Sequence, residues 1–173
     1  MMKTAEYSAT ERLRDGRTAE IRALKQDDHK GLVDAVGRSS PASLYRRFFA
    51  PKRHFSEKEV DFFLNVDFKN HVALVATVDE GGRAVIVAGG RYIVQQPGEA
   101  EVAFAVIDEY QGKGLGAALM RHLVKIAREA GLKKFIAEVL PDNVPMLKVF
   151  EKSGLKVTSK RGVDATHVAL ELG

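Results

Sequence analysis

The sequence predicts a single α+β domain in which helices cover both faces of a mixed central sheet. Three short apolar runs in the middle of the chain, separated by glycine-containing turns, predict an antiparallel meander. A glycine-rich turn between a strand and an amphipathic helix, with another strand after the helix, predicts a β-α-β unit. Two short strands near the C-terminal end predict a hairpin. With 173 residues, of which 45% are hydrophobic, the chain is long enough for one such domain with a buried core.

The first part of the chain is predicted to hold a polar tail, a strand and a helix. Residues 1–17 are polar and weakly patterned, so we expect a partly loose N-terminal tail, followed by a domain of residues 18–173. Apolar and polar residues alternate over Thr18–Leu24, which is typical of a strand. Lys25–Arg38 has apolar residues on one helical face and is predicted to be a helix.

Two further helix starts precede the meander. Pro41 follows two serines, and proline is tolerated in the first turn of a helix. Ser56 and Glu59 have the spacing of a capping box, which predicts a helix that continues to about Leu64.

The predicted meander consists of three strands and two turns. The turn signals at Glu80-Gly81-Gly82 and Gln96-Pro97-Gly98 are short enough to join antiparallel neighbours. The strands are predicted at Val72–Val78, Ala84–Val94 and Ala100–Ile107.

The remainder of the chain is predicted to hold two helices and three strands. The glycine-rich turn opens a helix that ends near Ala130, and the apolar run Phe135–Val139 predicts a strand. A helix follows Asn143 and ends before Gly154, because glycine commonly terminates helices. The C-terminal hairpin is predicted to pair Lys156–Lys160 with Thr166–Leu172.

Composition excludes several kinds of site. The chain has no cysteine, so disulfides, thiolate metal sites and a cysteine acyl intermediate are impossible. The five histidines show no metal-ligand spacing, and we expect no metal site. The 27 basic and 23 acidic residues are interspersed, without the basic block that is typical of nucleic-acid binding. No apolar run approaches the ~20 residues of a membrane span and no signal peptide is visible, so we expect a cytoplasmic protein without a membrane partner.

The glycine-rich turn is the strongest functional signal in the chain. It reads Gln111-Gly112-Lys113-Gly114-Leu115-Gly116 and enters a helix directly. A helix N-terminus has unpaired N–H groups and about half a positive charge, and it therefore binds phosphate. Glycines allow a bulky anion to approach the backbone closely. We therefore expect a phosphate-bearing ligand at Gly112–Ala117.

Two common phosphate-binding motifs fit this turn poorly. The nucleotide-binding string GxxxxGK[ST] is absent. A dinucleotide fingerprint is partly satisfied by Gly112, Gly114 and Ala117, with Glu138 about 20 residues further on. The dinucleotide fold needs several consecutive β-α-β units, however, and here a meander without helices precedes the turn. The dinucleotide interpretation is therefore disfavoured.

The turn and a second segment resemble a known family. The residues from Gln111 to Gly116 follow the signature Q/R-x-x-G-x-G/A of the GCN5-related N-acetyltransferases, the GNAT family. The segment from Asn143 to Leu155 resembles the second cofactor segment of that family, an asparagine followed by a helix. The region before the meander resembles the acetyltransferase domain of bacterial Pat-type protein lysine acetyltransferases.

The resemblance implies that acetyl-CoA is the cofactor and that backbone groups make many of its contacts. Its pyrophosphate would lie on the N–H groups of the glycine-rich turn with Gln111 facing it, and Lys113 would face either the phosphates or solvent. Backbone groups around Phe104–Val106 would hold the pantetheine arm and the thioester oxygen, and Asn143 would bond that arm, cap its own helix, or both. The implied cofactor-binding residues are Phe104, Ala105, Val106, Gln111, Gly112, Lys113, Gly114, Leu115, Gly116, Ala117 and Asn143.

Glu101 is the candidate catalytic residue. A period of two places it with Glu99, Ala103 and Ala105 on one face of a strand, although the resemblance implies a bulge near Phe104. An acceptor ammonium with a pKa of about 10.4 must lose a proton before it can attack a thioester. A partly buried glutamate with a raised pKa can accept that proton. The resemblance implies this role for Glu101 in the pattern E-x-x-F-x-V, and Glu99 is the alternative.

Phe150 departs from the family pattern. Many members have a tyrosine at this position, which protonates the leaving thiolate, whereas phenylalanine has no proton to give. Either water or another group therefore protonates the sulfur, or CoA leaves as a thiolate, since a thiol with a pKa of about 8.5 is a tolerable leaving group.

The sequence therefore predicts an enzyme that transfers an acetyl group from acetyl-CoA to a primary amine by direct attack. The Pat-type resemblance implies a protein lysine as the acceptor, with an acyl-CoA synthetase as a candidate partner. Two alternatives stay open: acetylation of a small-molecule amine, and a non-catalytic module that binds or senses acyl-CoA.

Overall fold

Eight strands form one mixed sheet in the parts of the chain that the structure describes. This computed structural model describes residues 4–38, 64–140, 143–163 and 165–173. The strands are β1 Ser8–Arg12, β2 Thr18–Ala23, β3 His71–Glu80, β4 Arg83–Gln96, β5 Glu99–Val106, β6 Lys134–Val139, β7 Lys156–Arg161 and β8 Thr166–Glu171. Their order across the sheet is β1-β2-β3-β4-β5-β6-β8-β7. The predicted meander is confirmed as the antiparallel strands β3, β4 and β5.

Three α-helices lie within the described residues. They are α1 His29–Gly37, α2 Leu115–Glu129 and α3 Val144–Glu151. The helix predicted to start at Pro41 and the start of the helix predicted from Ser56 fall outside the described residues, whereas Leu64, at the predicted end of the second helix, is helical and buried. No helix in the described part of the chain combines the length and apolarity that crossing a membrane requires.

Helix α1 begins later than predicted because Asp28 organises the preceding turn. The residues Gln26–Asp28 form a 3₁₀ turn rather than the first turn of the α-helix. The Asp28 carboxylate accepts the Lys25 N–H at 2.7 Å and two guanidinium bonds of 2.8 Å from Arg22. These bonds fix the entry into α1, and hydrogen bonds to Arg22 and Lys25 lower the pKa of Asp28 even though burial alone would raise it.

Helices cover both faces of the sheet, as predicted. Alternate residues of β3 belong to two separate apolar clusters: Val72 and Leu74 pack with α2, whereas Ala73 and Val75 pack with α1. Because side chains alternate along a strand, α1 and α2 lie on opposite faces, called here the α1 face and the α2 face. All residues from His71 to Val78 are buried, which explains the nearly continuous apolar run of this strand.

The parallel strands β5 and β6 pair only at their starts. The three paired positions are Glu99 with Lys134, Ala100 with Phe135, and Glu101 with Ile136. Beyond Glu101 no β5–β6 pair continues in the described residues, so the strands diverge towards their C-terminal ends. The divergence opens a gap in the sheet. The glycine-rich turn lies at the open end of this gap, because β5 leads into it. On the far side, β6, β8 and β7 close the sheet with the predicted hairpin.

The N-terminal segment that was expected to be loose contains a strand. Ser8–Arg12 pairs antiparallel with β2 at the edge of the sheet. Its side chains alternate between exposed and half-buried, and none is large and apolar, so the strand signal in the sequence is weak. Tyr7 and Leu13 flank the strand and are buried in the core. These two side chains attach the segment to the domain, and the expectation of a loose chain is wrong there.

Candidate active site

A groove of about 610 Å³ passes through the gap between β5 and β6. Its lining includes Val102 and Phe104 from the α2 face, and Ala103 and Ala105 from the α1 face. The groove therefore reaches both faces of the sheet, and a long, narrow ligand can extend through it. Further lining comes from the glycine-rich turn, the end of β6, α3 and α1, including Gly112, Gly114, Gly116, Ala137, Val139, Asn143, Val149, Leu32 and Val33.

The turn before α2 has the backbone geometry of an anion site. Gly112 and Gly114 have φ angles of +78° and +96°, which residues with a side chain rarely adopt. Gly114 directly precedes α2 and has no side chain to cap it, so the N–H groups of the first turn have no partner within the helix. A Cβ built on Gly112 would meet no described atom within 4 Å. The turn thus presents open backbone donors to a ligand as large as a phosphate.

Protein groups hold both polar side chains of the turn. Gln111 Nε2 donates to the carbonyl oxygen of Val106 at 3.1 Å, which ties the turn to the end of β5. Lys113 Nζ lies 3.9 Å from Asp15 Oδ2, and Lys113 is not among the residues that line the groove. The sequence analysis allowed the Lys113 side chain to face either the phosphates or solvent. In the structure this side chain faces Asp15.

A cation that the sequence analysis missed lies at the turn. Arg14 lines the groove, and its Nη1 lies 3.5 Å from the carbonyl oxygen of Gly112. It belongs to the loop between β1 and β2, 98 residues before Gly112 in the chain. No local sequence pattern can predict a contact over that separation. The β1–β2 hairpin that brings Arg14 to the turn was not predicted either, because the strand signal of β1 is weak.

Phe104, Ala105 and Val106 all line the groove, as predicted for the pantetheine arm. The expected bulge near Phe104 is absent, because β4 and β5 pair without interruption over residues 100–106. Gly90 lies opposite Phe104, and a Cβ there would be only 2.8 Å from the Phe104 ring. Because Gly90 has no side chain, the Phe104 ring fits while β4 and β5 keep a regular register. The side chains of β5 therefore alternate strictly between the two faces of the sheet. Where β6 diverges, one edge of β5 faces the gap, so its backbone groups are available to a ligand.

Glu101 lies where the two strands separate. It is the last residue of β5 that pairs with β6, and its side chain is half-buried on the α1 face. Its carboxylate has no hydrogen-bond or ion-pair partner among the described residues. Glu101 does not itself line the groove, but Ala103, the next residue on the same face, does. The alternative base, Glu99, lies at the start of β5, with Lys134 Nζ 3.9 Å from its carboxylate. This geometry favours Glu101 over Glu99.

His71 and Arg91 lie on the same face as Glu101, although neither was predicted as a site residue. His71 is opposite Ile93, which is opposite Glu101, so the three form a row across β3, β4 and β5. Arg91 lines the groove, and its Nη1 lies 2.8 Å from His71 Nε2. Burial, together with the Arg91 charge, lowers the pKa of His71 to about 4. The imidazole is therefore neutral near pH 7, and because a guanidinium only donates, Nε2 accepts this hydrogen bond.

Asn143 and Phe150 flank the groove from α3. Asn143 precedes the helix, and its Oδ1 accepts the Met146 N–H at 3.4 Å, so it caps α3 while it lines the groove. Phe150 is 1% exposed, and its ring centroid lies 6.3 Å from that of Phe104. The position at which many family members carry a tyrosine therefore holds a buried apolar ring.

Tyr110 also lines the groove, but its hydroxyl is engaged. It donates to Glu80 Oε2 at 2.6 Å and accepts from Arg17 Nη1 at 2.9 Å. Burial, together with Glu80, raises the pKa of Tyr110. Hydrogen bonds from Arg38 and Tyr110 lower the pKa of Glu80 to about 2, so this carboxylate is ionised near pH 7. A hydroxyl proton held in this way is poorly suited to protonating a leaving thiolate.

A model of the acetyltransferase (GNAT) family matches residues 40–155 of the chain. The chain belongs to the GNAT family. The acetyltransferase PA5475 of Pseudomonas aeruginosa is 36% identical over 125 residues, which cover 72% of this chain and 67% of that protein. The acetyltransferase Pat of Mycolicibacterium smegmatis is 31% identical over 159 residues, which cover 90% of this chain and 47% of Pat. This GNAT chain thus spans about half the length of Pat.

Solved structures share the fold of this GNAT chain. The GNAT domain of S. lividans PAT matches it with a TM-score of 0.85 and 39% identity, over 95% of this chain and 96% of that domain. The protein yncA of Salmonella typhimurium, described with its cofactor acetyl-CoA, matches with a TM-score of 0.71 and 19% identity over 90% of this chain and 94% of that one. The predicted fold class, a single GNAT-like α+β domain, is confirmed.

GNAT acetyltransferases use acetyl-CoA, and the groove fits this cofactor. The open N–H groups before α2 suit the pyrophosphate, and the small side chains of Ala103 and Ala105 leave a narrow passage for the pantetheine arm. The dinucleotide interpretation does not fit, because β5 and β6 are the only parallel neighbours among the described strands.

Proposed function

We propose that this GNAT enzyme transfers the acetyl group of acetyl-CoA to the side-chain amine of a protein lysine, and that Glu101 accepts the proton. The observation that carries the proposal is the gap between β5 and β6. The glycine-rich turn lies at the open end of the gap, and Glu101 lies at its closed end on the α1 face. A cofactor that enters along α2 can therefore present its thioester to an amine that approaches from the α1 face.

In this proposal the cofactor is held mainly by backbone groups. The pyrophosphate binds the N–H groups of Gly112–Ala117, at the positive end of α2. The pantetheine arm lies along the unpaired edge of Phe104–Val106, where amide groups can pair as in an added strand. Asn143 lines the passage of this arm. Lys113 contributes its backbone only, because its side chain faces Asp15.

Glu101 supplies the acid–base chemistry that the reaction requires. A lysine ammonium with a pKa of about 10.4 cannot attack a carbonyl carbon until its proton is removed. Glu101 accepts that proton, directly or through one water. The amine nitrogen then bonds to the thioester carbon, and the C–S bond breaks with its electron pair on sulfur. The nitrogen loses its second proton to solvent, which gives the neutral amide. CoA leaves as a thiolate, because a thiol with a pKa of about 8.5 is a tolerable leaving group. The step therefore needs no proton donor at the position of Phe150.

The acceptor class is inferred from the relatives and from the charge of the site. Similarity to Pat of Mycolicibacterium smegmatis and to the GNAT domain of S. lividans PAT, together with the Pat-type sequence resemblance, supports a protein lysine. The Glu101 carboxylate, which has no partner among the residues that the structure describes, suits a cationic amine. An acyl-CoA synthetase is the candidate substrate protein.

Mass spectrometry of a lysate tests the acceptor class. The lysate is incubated with isotopically labelled acetyl-CoA and either the wild-type protein or Glu101→Gln. We expect labelled acetyl-lysine on a limited set of proteins with the wild type, and far less with the variant. Release of CoA with small amines but not with proteins would overturn the proposal in favour of a small-molecule enzyme. Binding of acetyl-CoA without release of CoA would overturn it in favour of a sensing module.

A further inference from the structure

The loop of residues 13–17, between β1 and β2, lies against the glycine-rich turn. The Arg14 N–H donates to the Lys113 carbonyl oxygen at 3.0 Å. The Arg14 side chain extends over the turn, with Nη1 3.5 Å from the Gly112 carbonyl oxygen. A Cβ built on Gly114 would lie 3.7 Å from Arg14 Nε. The guanidinium therefore lies beside the two glycines that shape the turn.

Contacts on both sides hold this loop in place. Leu13 is buried, and its N–H donates to the Arg17 carbonyl oxygen at 2.8 Å. The Arg17 guanidinium binds the Tyr110 hydroxyl at 2.9 Å and the Asp79 carbonyl oxygen at 3.1 Å. Tyr110 lies in the chain between β5 and the glycine-rich turn. Its contact with Arg17 therefore attaches the loop to the segment that forms the groove. A side chain that is ordered before binding loses less conformational entropy on binding.

Among the cations of the turn and of the β1–β2 loop, which are Lys113, Arg14 and Arg17, Arg14 is the one that lines the groove. Asp15 lies 3.9 Å from Lys113 Nζ and so compensates the charge of that lysine. Arg14 is exposed, lines the groove and has no ion-pair partner among the described residues. Its one described side-chain hydrogen bond is the long contact to the Gly112 carbonyl. A guanidinium with unused donors beside a row of backbone N–H groups is complementary to a phosphate, which it can bind with two parallel bonds.

We propose that Arg14 binds the pyrophosphate of acetyl-CoA, so that the β1–β2 loop is part of the cofactor site. The inference rests on the proposed function, which seats the pyrophosphate on the N–H groups before α2. Arg14 and the start of α2 then contact the same phosphate groups, one through a side chain and the other through backbone. In this assignment the contact of Arg14 is with the pyrophosphate and not with the adenosine 3′-phosphate.

Calorimetric titration with CoA tests the role of Arg14. The matched control is Arg12→Gln, because Arg12 is exposed on β1, lies outside the groove lining and gives the same change in net charge. We expect Arg14→Gln to weaken CoA binding by about ten-fold or more, as the loss of charge-assisted hydrogen bonds does. Arg12→Gln should stay within about two-fold, because Arg12 is exposed to screening by water and salt and does not line the groove. Circular dichroism checks the fold, which Arg14→Gln should keep because the backbone N–H of Arg14 holds the loop on the turn.

Two comparisons make the assignment specific to the pyrophosphate. Arg14→Gln should weaken the binding of CoA and of 3′-dephospho-CoA by the same factor. Lys113→Gln should weaken the binding of CoA less than Arg14→Gln does. A loss that disappears with 3′-dephospho-CoA would overturn the inference, as would an unchanged affinity for CoA or a larger loss in Lys113→Gln. A wild-type protein that does not bind CoA would overturn the proposed function itself, so the two failures are distinguishable.

Discussion

At the residue scale, the α1 face of the site combines a carboxylate without a described partner and a paired histidine and arginine. The Glu101 carboxylate is half-buried, whereas His71 and Arg91 share a hydrogen bond of 2.8 Å. This hydrogen bond holds the His71 and Arg91 side chains in place on the α1 face, from which the acceptor is proposed to enter. The lack of a described partner for Glu101 supports the proposal that this carboxylate exchanges a proton with the substrate.

His71 should make the stability of the fold depend on pH in a defined window. Its pKa of about 4 in the folded protein lies below the ordinary value of 6.5, so between these values the unfolded chain binds a proton that the folded chain does not. The free energy of unfolding therefore falls as the pH falls through this window, by about 1.4 kcal/mol for each unit of pKa shift. Replacement by glutamine keeps a polar side chain beside Arg91 and removes the titration.

Urea unfolding of wild type and His71→Gln, measured from about pH 7 down to about pH 4, checks this prediction. The other titratable groups are the same in both proteins. The difference between the two curves of unfolding free energy against pH therefore reports the titration of His71. We expect the wild type to lose stability more steeply than the variant. Parallel curves would show that the pKa of His71 is not depressed in the folded state.

The candidate residues differ in how far sequence can reveal them. Glu101, Asn143 and the glycines of the turn belong to short motifs, so local spacing is enough to identify them. Arg14 and the His71–Arg91 pair act through contacts between segments that are distant in the chain. Nothing in their own neighbourhoods distinguishes them from ordinary charged or packing residues. Only the folded arrangement brings Arg14 and Arg91 to the groove and His71 against Arg91.

At the element scale, the glycine-rich turn and α2 form the unit that we propose to bind the pyrophosphate of the cofactor. The turn leaves β5 and enters α2 with Gly112 and Gly114 in the left-handed region. The first N–H groups of α2 have no partner within the helix, and together with the positive end of the helix dipole they favour an anionic ligand.

Gly114→Val should abolish binding of acetyl-CoA, because it places a side chain where the backbone must meet the pyrophosphate. The backbone strain alone should lower the free energy of unfolding by about 1–3 kcal/mol. Gly82→Val is the matched control: Gly82 has a similar φ of +85°, no described atom within 4 Å of a built Cβ, and a position outside the groove lining. Titration calorimetry should show lost affinity in the first variant only. Equal affinity in both would refute the phosphate assignment of the turn.

The predicted elements follow the observed ones closely where the local pattern is strong. The meander, α2 and the C-terminal hairpin have clear periodicity and turn residues, and they end within a few residues of the predicted bounds. β1 has neither signal, because its stability comes from pairing with β2 and from the flanking side chains Tyr7 and Leu13. The missing bulge in β5 has a similar origin, since the register there is set by the contact between Phe104 and Gly90 on another strand.

At the scale of the whole molecule, the divergence of β5 and β6 is the feature that would allow the two substrates to meet in the proposed reaction. A sheet that was fully paired here would separate the α1 face from the α2 face. The gap connects them, so an amine and a thioester can approach one another without an acylated enzyme intermediate. The absence of cysteine from the whole sequence is consistent with direct transfer.

NAD and NADP should not bind to this protein. Their fold requires consecutive parallel β-α-β units, whereas β5 and β6 form the one parallel pair among the described strands. Calorimetric titration with each dinucleotide should give no heat of binding under conditions in which CoA binds. Micromolar affinity for either would restore the dinucleotide interpretation of the turn.

The rate of Glu101→Gln as a function of pH tests the central claim most directly. Acetylation of one lysine-containing protein is measured for wild type, Glu101→Gln and Glu99→Gln, with acetyl-CoA affinity measured in parallel. We predict that Glu101→Gln keeps its cofactor affinity, loses about 10²–10⁴-fold in rate near neutral pH, and recovers part of that loss at higher pH, where more lysine is already neutral. Glu99→Gln should remain close to wild type. A wild-type rate for Glu101→Gln near pH 7 would contradict the claim that Glu101 is the general base.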